Sequence, residues 1–294
     1  MIANKVIMVR PSAFRFNVET AADNAYQVND TSIPLEEVQV RAEEEFSNVI
    51  CALKEEGVGV DVLEDTGDDT PDSIFPNNVF VTFPEKLFIS PMYSENRRRE
   101  FPKLRDSLDR LLHFSSLEVT DFRERDMGIL EGTGSVVLDR KEKIAYGCLS
   151  NRCDKDALVA FSDTYGLTPV PFRATQHGAA VYHTNVIMSI AEDFALVAAE
   201  LLTENKEAVM EHLRRTKKAV IELTGDQIDH FCGNCLELMG REKLYLMSQS
   251  AYDHLSTDAI ETIESTHKII HLPLTTVETF GGGSMRCMLA ENYI

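Results

Sequence analysis

Three side chains in this sequence could do covalent chemistry together. Cys287 lies in the stretch FGGGSMRCMLAENYI (280–294), His183 in VYHTNVIM and Glu131 in ILEGTG. A thiol, an imidazole and a carboxylate form the minimal set for nucleophilic catalysis on sulfur. A free thiol titrates near ~8.5, so it needs a favourable neighbour to act as a thiolate at neutral pH. An imidazole at His183 can protonate a departing amine and then activate water. Glu131 can orient that imidazole or hold substrate nitrogens. The glycines at 281–283 are expected to let backbone approach a ligand and to leave room beside the sulfur. Each residue alone also reads as ordinary structure: Cys287 as a small buried apolar group, His183 as a hydrogen-bonded core histidine, Glu131 as part of a turn. What separates these readings is whether the fold brings the three together.

The elements that would do so repeat. Five stretches share a small polar cluster, an apolar strand, a charged turn and a second apolar strand: residues 77–91, 133–150, 184–200, 233–250 and 282–294. Measured at Asn78, Gly134, Asn185, Asn234 and Ser284, the steps are 56, 51, 49 and 50 residues. A near-constant period of this size predicts a repeat architecture. The turns PEK, DRKEK, AED and GREK separate β-branched and aromatic runs, as hairpins do. Between hairpins lie helical patterns; Phe46, Val49, Ile50 and Leu53 form one apolar stripe. A further short apolar run follows each helix: GVGVDVLED, SLEVTDF, LTPVPFRA, QIDHF and KIIHLPL. The expected unit is strand–strand–helix–strand.

The tail 282–294 has no helix after it. The N-terminus supplies one, with strand NKVIMVRP, a helix at 35–57 and a strand at 58–63. Joining the two ends closes a ring of five modules, a single α/β domain over residues 1–294. In a ring, equivalent positions share a height about one axis. Asn77, Asn78, Glu131, His183, Asn185, Asn234 and Cys287 are therefore expected to converge, whereas His177, His254 and His271 read as structural.

Composition narrows the function classes. The chain has 294 residues, 44% hydrophobic and 26% charged, the profile of a globular protein with a sizeable core. Its net charge of −19 argues against nucleic-acid partners. No apolar run approaches the ~18–20 residues that span a bilayer, and no signal core precedes the first strand, so the chain reads as cytoplasmic. The six cysteines then read as reduced thiols. Cys232 and Cys235 have CxxC spacing, but no second pair or His-x-x-x-His lies nearby to complete a zinc site.

With its five-module ring, an E-G near the second hairpin, an H-x-[DN] at the third and a terminal G-G-x-x-x-C, the chain resembles the guanidino-group modifying superfamily. That group holds arginine deiminases, dimethylarginine dimethylaminohydrolases and amidinotransferases, and its fold is a five-bladed α/β propeller. The stretches DSIFPNNVF, LEGTGSVVLDR, YHTNVIMSI and TFGGGSMRCMLAEN look most like a citrulline hydrolase (citrulline ureidase) branch. The resemblance covers the whole chain. It implies Cys287 as nucleophile, His183 as acid and base, and Glu131 as their partner, with no metal or organic cofactor.

Departures from arginine deiminases carry more information than the matches. Their F-x-R-D is here Phe75-Pro76-Asn77-Asn78, their H-x-D is His183-Thr184-Asn185, and their E-G-G-D is Glu131-Gly132-Thr133-Gly134. Three carboxylates that would grip a guanidinium are missing. A guanidinium only donates hydrogen bonds and suits carboxylates in a fork geometry. A ureido group is neutral, with an acceptor and donors, and an amide complements it. Asn78 and Asn185, with Phe75, are thus expected on a ureido amino acid such as citrulline. The family's α-carboxylate arginines carry over to Arg97, which lies 19 residues past Asn78, and to Arg152 in Ser150-Asn151-Arg152. Guanidiniums bind carboxylates bidentately. The alternatives are a deiminase or dimethylaminohydrolase drawing charge from Asp65, Asp68, Asp69 or Asp72, and a catalytically silent amino-acid-binding protein. The expected partner is a small amino acid, not nucleic acid or a membrane, and assembly into a homo-oligomer stays open.

Overall fold

The computed structural model describes residues 2–294. The chain opens with β1 (Lys5–Arg10), α1 (Leu35–Glu55) and β2 (Gly59–Glu64). There follow β3 (Phe80–Phe83), β4 (Lys86–Ile89), α2 (Glu100–Leu112) and β5 (Glu118–Asp121). Next come α3 (Gly132–Ser135), β6 (Val136–Asp139), β7 (Ile144–Cys148), α4 (Lys155–Tyr165), β8 (Thr168–Gln176) and β9 (Ala179–Ala180). The third repeat holds α5 (Thr184–Ile187), β10 (Met188–Ile190), β11 (Phe194–Val197), β12 (Leu202–Glu204), α6 (Lys206–Arg215), β13 (Ala219–Glu222) and α7 (Gly225–Asp229). The fourth holds β14 (Leu236–Met239), β15 (Lys243–Ser248), α8 (Gln249–His254), α9 (Thr257–Glu264) and β16 (Lys268–Leu272). Helix α10 (Thr275–Gly281) and β17 (Ala290–Glu291) complete it.

Among the described residues the strands form five separate small sheets, each an antiparallel pair extended by a parallel third strand: β3-β4-β5, β6-β7-β8, β10-β11-β13, β14-β15-β16 and β17-β1-β2. Strands β9 and β12 add only to β8. This is the ring of five modules that the period predicts and the five-bladed α/β propeller that the resemblance implies, and among the described residues no sheet closes into a barrel. First strands face the axis: β6 packs on β10, β10 on β14, and β17 on β3. The helices cover the outside through their apolar stripes. Phe46, Val49, Ile50 and Leu53 of α1 are all buried, as their spacing predicts. Helix α4 ends at Gly166, whose φ of +66° is the left-handed conformation that closes a helix. Among the described residues no helix is long and apolar enough to cross a membrane.

Two expectations fail. The tail does not form a hairpin of its own. Residues 284–287 are a turn, and the one strand, β17, pairs antiparallel with β1 through Val6–Glu291 and Ile7–Ala290. The fifth hairpin is assembled from both ends of the chain. In the third module, QIDHF is not the closing strand. Helix α6 stops at Arg215, Lys217 turns at φ +60°, and the β-branched Val220 and Ile221 place β13 earlier. QIDHF begins in helix α7, which a reciprocal Thr224–Gln227 capping box opens.

Candidate active site

A tight turn leads each module into its first strand, and these turns carry the side chains of interest. They are the one-turn 3-10 helix Pro76–Asn78, α3, α5, the turn closed by Asn234 N–H to Phe231 O (2.8 Å), and the turn closed by Cys287 N–H to Ser284 O (3.0 Å). Glycines let them pack against one another. A Cβ on Gly132 would lie 2.3 Å from Asn77 O, and one on Gly233 2.2 Å from Val186 O. On Gly134 it would lie 2.2 Å from Asn78 Nδ2 and 2.7 Å from His183 Cε1. Asn78 and His183 therefore meet over a position where any side chain, including the aspartate of the deiminase motif, would collide.

Glu131 and His183 form a buried pair, with Nε2 to Oε2 at 2.9 Å. Burial alone would raise the Glu131 carboxyl. The Arg152 guanidinium at 3.7 Å, the His183 hydrogen bond and Arg97 outweigh it and hold the group at about 2. Burial lowers His183 below the usual imidazole value, and Glu131 only partly offsets this. Near pH 7 the carboxylate is thus ionised and the imidazole neutral. A carboxylate can only accept, so Nε2 carries the proton and Nδ1 is left as the basic nitrogen. The other Glu131 oxygen accepts from Tyr93 N–H at 2.9 Å.

Cys287 is buried beside two amides. Asn185 Nδ2 points to its Sγ at 3.5 Å and Asn234 Nδ2 at 3.3 Å. N–H donors aimed at sulfur stabilise negative charge on it. Tyr182, next to His183, donates to Gly282 O at 2.8 Å and so ties the imidazole segment to the thiol segment.

Arg97 does something other than expected. Its Nε and one terminal nitrogen are taken by Glu100 (2.8 and 3.0 Å), and the other donates to Asn78 Oδ1 at 2.7 Å. A guanidinium cannot accept, so Asn78 must give it the carbonyl oxygen and keep Nδ2, buried and without a partner among the described residues, for the site. On Asn185 the unpartnered buried atom is instead Oδ1. Arg152 lies over the Tyr182 ring, and its Nε and one terminal nitrogen are held by Asp23, with Thr20 O at 3.1 Å. Asp23 belongs to the 11–34 loop, which also places Asn24 on the Gly281 and Gly282 carbonyls and Gln27 on Phe280 O. Of the four aspartates weighed as sources of charge, only Asp72 is buried against this group. Its Oδ2 accepts from Asn17 and Thr20, Oδ1 has no partner among the described residues, and burial raises its carboxyl against the pull of Arg97. Asp65 is held by Thr66 and Thr70, Asp69 by Lys103 and Arg99, and Asp68 is exposed.

The glycine run is not room for a ligand. A Cβ on Gly281 or Gly283 would lie 2.6 or 3.0 Å from the Phe75 ring, and one on Gly282 (φ +60°) 2.6 Å from Gln27. Phe75 is packed there in the apolar cluster that contains Cys287. Cys232 and Cys235 donate to the Ala251 and Cys232 carbonyls, and burial pushes the Cys232 thiol up to about 12. Both are protonated structural thiols. The period places Asn234 near the axis, and only its contacts with Cys287 and Arg286 mark it as part of the site. Asp23 and the covering loop had no signal in the repeat.

Among solved structures, the N-terminal domain of ArgZ, an arginine dihydrolase from cyanobacteria in its substrate-bound mutant form, matches at a TM-score of 0.76 and 18% identity, over 97% of this chain and 96% of that one. AgrE with L-arginine matches at 0.78 and 16%, over 98% of this chain and 40% of that chain. DDAH from Pseudomonas aeruginosa, a mutant complexed with citrulline, matches at 0.70 and 14%, over 99% and 100%. These likenesses establish the fold. No curated protein matches. The family model of eukaryotic N,N dimethylarginine dimethylhydrolases spans residues 10–294, nearly the entire sequence, and to that family the chain belongs.

Proposed function

We propose that this hydrolase of carbon–nitrogen bonds acts on a ureido amino acid, converting citrulline to ornithine, carbon dioxide and ammonia through a covalent intermediate on Cys287. One observation carries the choice of substrate. Asn78, fixed by Arg97, presents only a donor, and Asn185, with its amide nitrogen on the sulfur, presents only an acceptor. A ureido group offers an oxygen to the first and an N–H to the second. A guanidinium has no acceptor, so it would leave the Asn78 donor buried and unmatched, at about 1–3 kcal/mol.

In this reading Cys287 Sγ attacks the ureido carbon. The thiol proton passes to His183 Nδ1 as the carbon–sulfur bond forms, and the carbon–Nδ bond breaks as the same proton moves from Nδ1 to the departing nitrogen, so that ornithine leaves. Water, giving a proton to His183 Nδ1, attacks the carbamoyl thioester. The carbon–sulfur bond breaks with its electron pair returning to sulfur, and carbamate decomposes. Arg152 suits the α-carboxylate once Asp23 releases it, and Asp72 Oδ1 suits the α-ammonium. Arg97 acts by holding Asn78.

A second reading, a guanidinium substrate, is favoured by the family description and by the arginine dihydrolase neighbours, one bound covalently to a reaction intermediate. Incubation with citrulline, arginine and methylated arginines, scoring ornithine, citrulline and ammonia, separates the two. Ornithine is expected from citrulline, and faster product formation from arginine or its methylated forms would overturn the proposal.

A further inference from the structure

We propose that Asn234 is a further catalytic residue, a fixed hydrogen-bond donor to the sulfur of Cys287 that also sets the turn carrying it. The proposal rests on Cys287 as the nucleophile and adds a residue that neither the motif resemblance nor the amide pairing of the substrate calls for.

Both N–H groups of this buried side chain and its carbonyl oxygen have partners. Nδ2 donates to Cys287 Sγ at 3.3 Å and to Asn185 O at 3.1 Å, and Oδ1 accepts from Arg286 N at 3.0 Å. The Arg286 N–H can only donate and the Asn185 carbonyl can only accept, so two independent partners dictate that nitrogen, not oxygen, faces the sulfur. Gly233 makes the approach possible, since a Cβ there would lie 2.2 Å from Val186 O. One amide thus joins the third module, through the Asn185 backbone, to both Cys287 and its neighbour Arg286.

The two amides on the sulfur have different work. Asn185 keeps Oδ1 unpartnered, free to meet substrate. Asn234 has both N–H groups engaged and stays on the sulfur throughout. Charge returns to sulfur when the carbon–sulfur bond of the thioester breaks, and a preorganised donor at that atom favours the step. The same donor favours the step in which the thiol gives up its proton and sulfur becomes the nucleophile.

The test uses Asn234→Ala and Asn234→Asp in the full chain, with unfolding midpoints, iodoacetamide alkylation followed on the peptide carrying Cys287, and steady-state turnover of citrulline. The alanine variant should fold, because Arg286 N also reaches the Asn234 backbone oxygen at 3.3 Å. At neutral pH its Cys287 should alkylate about tenfold or more slowly and kcat should fall at least as far, with KM nearly unchanged. Asn234→Asp keeps the acceptor for Arg286 but sets a carboxylate on the sulfur, so its alkylation should be slower still. A folded Asn234→Ala with alkylation within about twofold of wild type overturns the proposal, even if kcat falls, because that pattern is a structural prop. Alkylation does not depend on substrate. If wild type fails on citrulline while Asn234→Ala still protects the thiol, the substrate reading falls and the role of Asn234 stands. Turnover by Cys287→Ala would overturn both.

Discussion

Asn78 shows how one neighbour can turn an ambivalent side chain into a directed one. An amide in solution presents donor and acceptor alike. Once Arg97 takes Oδ1 at 2.7 Å, only the donor is left for the site. Asn78→Asp keeps a partner for Arg97, and a stronger one, so the fold should hold. It removes the N–H offered to a ureido oxygen and puts a second acceptor in its place. Citrulline turnover should fall by about 1–3 kcal/mol in kcat/KM, roughly 5- to 150-fold, while arginine gains relative to it. Unchanged kcat/KM for citrulline would sink the pairing of Asn78 with the ureido oxygen. The residue types were legible in sequence: Cys287, His183, Glu131, Asn78 and Asn185 each fall within three residues of an equivalent point of the period. The polarity of each amide was not, because it is fixed by Arg97 and by the sulfur, both distant in sequence. The same limit applied to Arg97 and Arg152. Their presence followed from motif spacing, but their engagement by Glu100 and Asp23 depends on burial and on a loop with no periodic signal.

At the scale of elements, the tight turns before the first strands matter more than the strands. They crowd about the axis, and the glycines set how closely. Gly233→Ala should cost about 1–3 kcal/mol or more by forcing the turn away from Val186 O, read as a lowered urea midpoint. Gly225→Ala is the control. A Cβ there meets nothing nearer than 3.5 Å and the position opens α7, so the change should stay within about 0.5 kcal/mol. Equal effects at the two glycines would contradict close packing as the cause. Most elements were legible because hairpins and amphipathic helices have local signatures. The exceptions have local causes too. In the third module the apolar run AVIE follows the last turn of α6 within a few residues, so helix and strand share one apolar pattern, and the Thr224–Gln227 capping box that opens α7 lies directly behind it. In the tail the strand partner was β1, which no local pattern of 282–294 could indicate.

The whole molecule depends on joining its two ends, and the period made that closure legible while hiding what holds it. Strand β17 lies between β1 and the first module, where Glu291 O accepts from Thr82 Oγ1 at 2.6 Å. The Glu291 carboxylate receives Arg286 of the tail at 2.7 Å and Arg140 of the second module at 3.2 Å, and Arg140 also lies over the Phe83 and Tyr293 rings. The carboxylate thus ties the tail to the second module, and the backbone oxygen of the same residue ties it to the first. Burial alone would raise it, but Arg140 and Arg286 prevail and hold it at about 2. A glutamate in the unfolded chain titrates near ~4.3. The unfolded state therefore binds more protons between these values, and stability falls as pH drops through them. The contribution, about 3 kcal/mol, is complete above pH ~4.3 and is lost on the way to about 2. Glu291→Gln should be less stable than wild type by about 3 kcal/mol at pH 7, with two guanidiniums left without their charge partner. Below pH ~4.3 the gap should narrow, because wild type alone loses this term. Urea unfolding of both proteins from pH 7 to about 3 reads the gap directly. A gap that does not change with pH would mean that packing of β17, and not this ion cluster, closes the ring.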